Sequence, residues 1–231
     1  DIAQYDKSDY LMELTANYTK RLGDHNFSVL AGYSFQRFTD ESLYAGNSQF
    51  LIDGFLYNNL GAGAYPKPSV GSSASKDEMA SFFGRVNYTF NDKYLATVTV
   101  RRDGSSRFGA NNHWGTFPSG SLAWRASEED FVKNWGVFSN LKVRAGYGVT
   151  GNERIGDYAS YALVSTNHVT LDGSNNMPGT HLNQSSPENA SLKWETTTQY
   201  NVGFDMGFFN NRLSVTLDGY WKKTKDLLLK V

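Results

Sequence analysis

Two neighbouring segments between Lys193 and Lys222 each have one oily side and one wet side, and that pattern narrows the folds open to this chain. In the first, Trp194, Tyr200, Val202, Phe204, Met206 and Phe208 share one parity with only two threonines. The opposite parity carries Lys193, Glu195, Thr197, Gln199, Asn201, Gly203, Asp205 and Gly207. Asn210-Asn211 then marks a tight turn, after which Leu213, Val215, Leu217, Gly219 and Trp221 oppose Ser214, Thr216, Asp218, Tyr220 and Lys222. Side chains on a strand alternate faces with period two, so this is a hairpin with a greasy surface and a hydrated one. The first strand is also longer than the usual five or so residues. Long strands, apolar outward and polar inward, are what a transmembrane β-barrel requires.

Bulk composition alone points elsewhere. The chain has 231 residues, 39% hydrophobic content and 19% charged residues, and its mean hydropathy is -0.50. No apolar run approaches the roughly 18 residues of a membrane-spanning helix. A barrel escapes that test because the lumen-facing half of every strand dilutes the average. A length of 231 residues suits one large β domain. The net charge of -1 argues against a nucleic-acid partner. Aromatics reach 15%, and Gly 22 against Pro 5 suits long strands joined by pliant loops. With no cysteine, disulfides and thiolate metal sites are excluded. The chain starts at Asp1 without an initiator Met or a leader and stops at Val231 just after a strand, which we read as truncation.

The alternation recurs along the chain. Tyr10, Met12, Leu14, Ala16 and Tyr18 form one apolar row. After a turn at Leu22-Gly23-Asp24, Phe27, Val29, Ala31, Tyr33 and Phe35 form a second. A long connection, 38–78, carries Gly-Ala-Gly and Pro-Lys-Pro punctuation. Ala80, Phe82, Val86, Tyr88 and Phe90 make a third row, and a turn at Asn91-Asp92-Lys93 leads to Tyr94, Ala96, Val98 and Val100. A second long connection covers 102–116. A fifth strand, Phe117 to Arg125, is interrupted by Pro118 and Gly120. Ser127-Glu128-Glu129-Asp130 opens a short helix that ends by Gly136. Leu141, Val143, Ala145, Tyr147 and Val149 define a sixth strand, followed by a third long connection, 151–192. With the hairpin described first, eight strands are expected.

Two further regularities favour the barrel over a soluble β-sandwich. Every charge in these windows falls on the polar parity: Glu13, Arg85, Arg101, Arg125, Lys142, Arg144, Lys193, Glu195, Asp205, Asp218 and Lys222. Arg or Lys on a lipid face costs about 2–4 kcal/mol at mid-bilayer, so the segregation is expected. Short and long connections also alternate, as do the periplasmic turns and extracellular loops of outer-membrane barrels. The turns at Leu22-Gly23, Asn91-Asp92 and Asn210-Asn211 are thus assigned to the periplasm and the three long loops to the outside. Tyr88, Phe90, Tyr94, Phe208 and Trp221, near strand ends, suit interfacial girdles.

Four blocks carry a more particular signature. They are Arg101 to Gly109 with Trp114 to Ser119; Leu141 to Gly148 with Thr150-Gly151-Asn152 and Ile155-Gly156-Asp157-Tyr158; Leu192 to Thr197 with Asn201 to Asp205; and Asp218 to Leu228. Together, in this order, they resemble SusC/RagA-type TonB-linked outer-membrane transporters. The resemblance implies a 22-stranded barrel around an N-terminal plug, capped by a SusD-like surface lipoprotein. It implies import of glycans or peptides driven by the TonB complex, across a lipid bilayer in the bacterial outer membrane. No plug, TonB-contact segment or terminal aromatic strand is present in this sequence, so the chain corresponds to a middle portion of the barrel.

No catalytic, cofactor or metal residues are expected. Gly146-Tyr147-Gly148-Val149-Thr150-Gly151 fits a dinucleotide fingerprint in spacing, but no helical periodicity follows it. His25, His113, His168 and His181 are scattered without ligand spacing. No Gly-x-Ser-x-Gly elbow supports a hydrolase. Substrate contact is expected, if anywhere, at Arg102, Arg107, Trp114, Tyr158 and Tyr161: cations at the outer mouth, and aromatic faces suited to CH-rich ligands. Arg101, Arg102, Asp103 and Arg107 are read in preference as a salt-bridged network holding loop and strand ends in place. Three alternatives remain open at this point: a stand-alone eight-stranded structural or adhesin barrel, an outer-membrane hydrolase and a soluble sandwich.

Overall fold

The computed structural model describes residues 1–52, 54, 56–65, 68–170 and 178–229, with strand side chains described except at 167–170 and 178–181. Pro66-Lys67 of the expected punctuation, and the side chains of His168 and His181, lie outside that set. Ten strands form. Eight build one antiparallel sheet: β1 (Ile2–Leu22), β2 (His25–Gly46), β3 (Ser69–Phe90), β4 (Tyr94–Ser105), β5 (Trp114–Arg125), β6 (Phe138–Asn152), β9 (Glu195–Phe208) and β10 (Leu213–Lys225). β7 (Leu163–Thr170) and β8 (Pro178–Ser186) pair only with each other. The large sheet follows chain order, and among the described residues β1 and β10 do not pair. The sheet is therefore open at both edges.

The short connections use the turn chemistry that their residues allow. Gly23-Asp24 is a two-residue loop with Gly23 at φ 58, the glycine-first pattern of a type II′ hairpin. Asn91 and Asp92 adopt φ 50 and 52, and Asn210 and Asn211 φ 56 and 61, conformations that Asn and Asp tolerate best after glycine. Between β5 and β6, a 3-10 turn (Ala126–Glu128) and one helical turn, α1 (Asp130–Lys133), bury Ala126 and Val132. Glu129 fastens this cap to the β3–β4 turn. It accepts hydrogen bonds from Lys93 Nζ (3.1 Å), the Tyr94 hydroxyl (2.6 Å) and Trp124 Nε1 (3.3 Å).

The sheet is two-faced in the expected sense. The apolar rows stay exposed, with Leu14, Val98, Leu122, Val202 and Leu217 all 49% or more accessible. A soluble sandwich would cover such a face with a second sheet. Aromatic pairs gather in two bands on this outward face. Toward the turns lie Phe27–Tyr88, His25–Phe90, Phe90–Tyr94 and Phe138–Phe208. Toward the long loops lie Tyr33–Phe82, Phe82–Trp114, Tyr147–Tyr200 and Tyr200–Trp221. Eight residues separate Phe82 from Phe90, and Tyr200 from Phe208. At about 3.4 Å per residue and a tilt of about 40°, that is a height of about 20 Å, close to a barrel's apolar belt.

Several boundaries differ from expectation. The connections expected at 38–78, 102–116 and 151–192 shrink because the strands run on: β2 reaches Gly46, β3 starts at Ser69, β4 reaches Ser105 and β5 starts at Trp114. Beyond the apolar belt both faces are polar, so the alternation that signals a strand disappears. The ladder there is held by backbone pairing, the Ser42–Ser73 hydroxyl pair (2.7 Å) and Lys7–Asp40 (3.6 Å). The third connection contains the β7–β8 hairpin. Pro118 does not break β5: it sits one residue beyond the last β5–β6 pair, Ser119↔Gly148, where a missing N–H is tolerated as on an edge strand. Trp194, assigned by parity to the outward row, precedes β9 and is buried.

Candidate functional site

Above Ser119 and Gly148, β5 and β6 stop pairing and a wedge of side chains fills the gap. Phe108, Phe117 and Trp194 form its buried centre, with ring centroids 4.9 and 5.4 Å from Trp194. Phe117 lies where Cβ atoms on Gly115 or Gly151 would collide with its ring, so both glycines are required by close approach. Trp194 Nε1 donates to the His113 carbonyl (3.1 Å), and Asn112 Nδ2 to the Ala190 carbonyl (3.2 Å). The segments 106–113, 153–162 and 187–194 are thereby bound into one lid-like mass at the mouth of the sheet.

Arg107 is its electrostatic centre. Its guanidinium bridges Asp77 on β3 (3.2 Å) and Asp157 (3.0 Å). Burial opposes its charge, but the surrounding carboxylates together outweigh burial and hold the guanidinium above its ordinary value. Ser106 reinforces the seam by exchanging hydrogen bonds with the backbone of Glu78. Beside it, the Tyr158 hydroxyl accepts the Lys76 N–H (3.2 Å), with Tyr158 itself at φ 62. Lys76, Asp77, Ser106, Arg107, Asp157, Tyr158 and Tyr161 line a hollow of about 260 Å³. Tyr158 and Tyr161 stand edge to face, their centroids 6.4 Å apart. Close by, burial pushes the Glu153 carboxyl above its ordinary range, and its Oε2 has no hydrogen-bond partner among the described residues.

Of the residues expected to meet substrate, three converge here: Arg107, Tyr158 and Tyr161. Arg102 and Trp114 do not join them. Arg102 pairs with Phe82 and Thr116, and Trp114 with Gly104, all on the outward parity. Asp77, Asp157 and Glu153 are the participants that sequence reasoning missed. Asp77 lies far from Arg107 in the chain, and nothing local marks it.

Lower on the inward face the wall changes character. Thr97, Ser119, Ser121, Thr150, Gln199 and Asn201 surround a shallow hollow of about 290 Å³ with no charge in its lining. Gly146 leaves room there for the Asn201 amide, which a Cβ would strike. Below it, Arg144 holds Asp205 through two bonds (2.8 and 2.9 Å) and reaches Asp218 (3.0 Å) across three strands. A bidentate pair of this kind fixes orientation as well as charge. Among the described residues, no group of three or more His, Asp or Glu is arranged to hold a metal.

An open, two-faced antiparallel sheet with aromatic bands, short turns at one end and a packed loop mass at the other has the form of a section of β-barrel wall. Residues 2–231 match the family model described as TonB dependent receptor-like, beta-barrel, and the chain belongs to that family. It is 41% identical over 219 residues to TonB-dependent receptor P3 of Formosa agariphila, covering 94% of this chain and 21% of that protein. It is 36% identical over 236 residues to TonB-dependent receptor SusC of Bacteroides thetaiotaomicron, covering 100% of this chain and 22% of that protein. A solved structure of the RagAB peptide transporter matches with TM-score 0.87 and 30% identity over 99% of this chain and 25% of its own. The chain thus spans about a fifth of the length of the curated relatives it matches.

Proposed function

We propose that this sheet is part of the wall of a SusC-like, TonB-dependent outer-membrane importer of oligosaccharides or peptides. The observation that carries the reading is an eight-stranded sheet with a lipid-suited outer face and two unpaired edges. Unpaired edges have no partner in hydrocarbon, so such a sheet needs further strands to complete a cylinder. This favours a larger barrel, as in the 22-stranded architecture, over a self-contained eight-stranded one. The likeness to SusC and to the RagAB transporter supports the same conclusion.

In this reading the wall performs no covalent chemistry. The inward hydroxyl and amide hollow offers one uncharged stretch along the path, and the loop mass around Arg107 forms one rim of the entrance. Arg107, Tyr158 and Tyr161 contact cargo there; Asp77 and Asp157 set the cation's position. A surface lipoprotein covers the entrance from outside, and the TonB complex supplies energy from the periplasm. The test is uptake by cells carrying the complete receptor. Accumulation of labelled oligosaccharide or peptide should vanish when TonB is deleted or the proton gradient is collapsed. Uptake that survives both treatments excludes a TonB-driven importer.

A further inference from the structure

Arg102 lies on the face turned to lipid, in the aromatic band nearest the long loops. Its guanidinium lies 5.5 Å from the Trp114 ring centroid. Trp114 in turn stacks toward Phe82 at 6.0 Å. The indole lies flat over Gly104, where a Cβ would come within 2.9 Å of it. Thr116, exposed on the neighbouring strand, faces outward beside Arg102. Several arginines of the sheet are neutralised: Arg101 by Asp103, Arg144 by Asp205 and Asp218, Arg37 by Glu78. Among the described residues, Arg102 has no carboxylate within 4.0 Å. Further up the same face, Arg37 and Lys76 share the single carboxylate of Glu78. Outward acids beyond it, Glu41 and Asp6, stand higher on β2 and β1.

A cation in an interfacial belt, laid on an indole and left without an anion, has its fork of N–H donors directed into the headgroup layer. Phosphate is the anion that this fork matches bidentately. Phe82 beside it, with Val100 and Val98 below, offers an apolar strip for the acyl chains of the same molecule. We infer that Arg102, Trp114 and Thr116 form a binding site for a phosphorylated lipid headgroup of the outer leaflet, on the outside of the barrel. The inference rests on the reading of this face as lipid-facing and is independent of what the lumen carries.

The complete receptor, purified in a mild non-ionic detergent, can be offered a bis-phosphorylated lipid A and its dephosphorylated counterpart, with retention measured by native mass spectrometry. The wild-type protein should keep the phosphorylated lipid and lose the dephosphorylated one, and excess inorganic phosphate should not displace it. Arg102→Gln should cut retention about tenfold, as expected for losing charged hydrogen bonds. Arg102→Lys, which keeps the charge but not the fork, should fall between. Arg85→Gln, on the inward parity, should leave retention unchanged. Heat-shifted gel migration reports folding of each variant, and the comparison of the two lipids needs no variant. Equal retention of both lipids, or full retention by Arg102→Gln, overturns the headgroup site while leaving the transport reading intact. Retention of neither lipid overturns the site as well, and uptake by cells then tests the barrel reading separately.

Discussion

Arg107 and Glu153 both feel the charge of Asp77, yet the packing treats them oppositely. Arg107 has two partners for its charge, and removing it strands Asp77, which is only 8% exposed. We predict that Arg107→Ala loosens the mouth more than Asp157→Asn does, read as faster protease cleavage within 106–113 and 153–162. Glu153 is held above the usual carboxylate range by burial. A raised carboxyl stabilises the native packing most when protonated, below its unfolded pKa, and that contribution is lost as pH rises through the raised value. Hydrogen-exchange protection of these loops should therefore increase as pH is lowered from neutral toward the ordinary carboxylate range. Glu153→Gln should weaken that dependence, and the remainder comes from Asp77, whose carboxyl burial also raises. None of Asp77, Asp157 and Glu153 was legible beforehand: a buried carboxylate has no periodic signature, and its environment comes from distant segments.

At the scale of strands, period-two alternation does most of the specifying. Because β9 pairs with both β6 and β10, Val202 and Phe204 lie outward between Ala145/Val143 and Gly219/Leu217. Phe204→Arg at mid-belt should destabilise the folded receptor by about 2–4 kcal/mol in reversible unfolding from lipid vesicles. Asn201→Arg, one face away, should cost far less because its side chain meets the aqueous lumen. Strand identity and facing were readable wherever one side had to be greasy. They were unreadable where β1, β2 and β3 continue past the membrane, since Ser42, Ser73 and their neighbours are polar on both sides. The β7–β8 hairpin was hidden for the same reason. Trp194 misled because parity was extrapolated across the start of β9 into a loop that turns the indole into the wedge.

For the whole molecule, the open sheet is the governing fact. Its two free edges, β1 and β10, carry backbone groups that this sheet alone cannot satisfy in hydrocarbon. Expressed by itself, this chain should give no heat-shifted, protease-resistant species in vesicles, whereas the complete receptor should. The architecture separates three regions: a wall braced by Arg144 and its two aspartates, an uncharged hollow on the inward face, and a loop mass fastened at Arg107.

The most direct test concerns which face meets acyl chains. In a receptor variant lacking other tryptophans in this sheet, a single Trp is placed at Phe204 or at Asn201 and reconstituted with lipids brominated along their chains. Strong quenching at 204 with little at 201 is the predicted result. Quenching that is weak at 204, or equal at the two positions, would contradict the barrel-wall account.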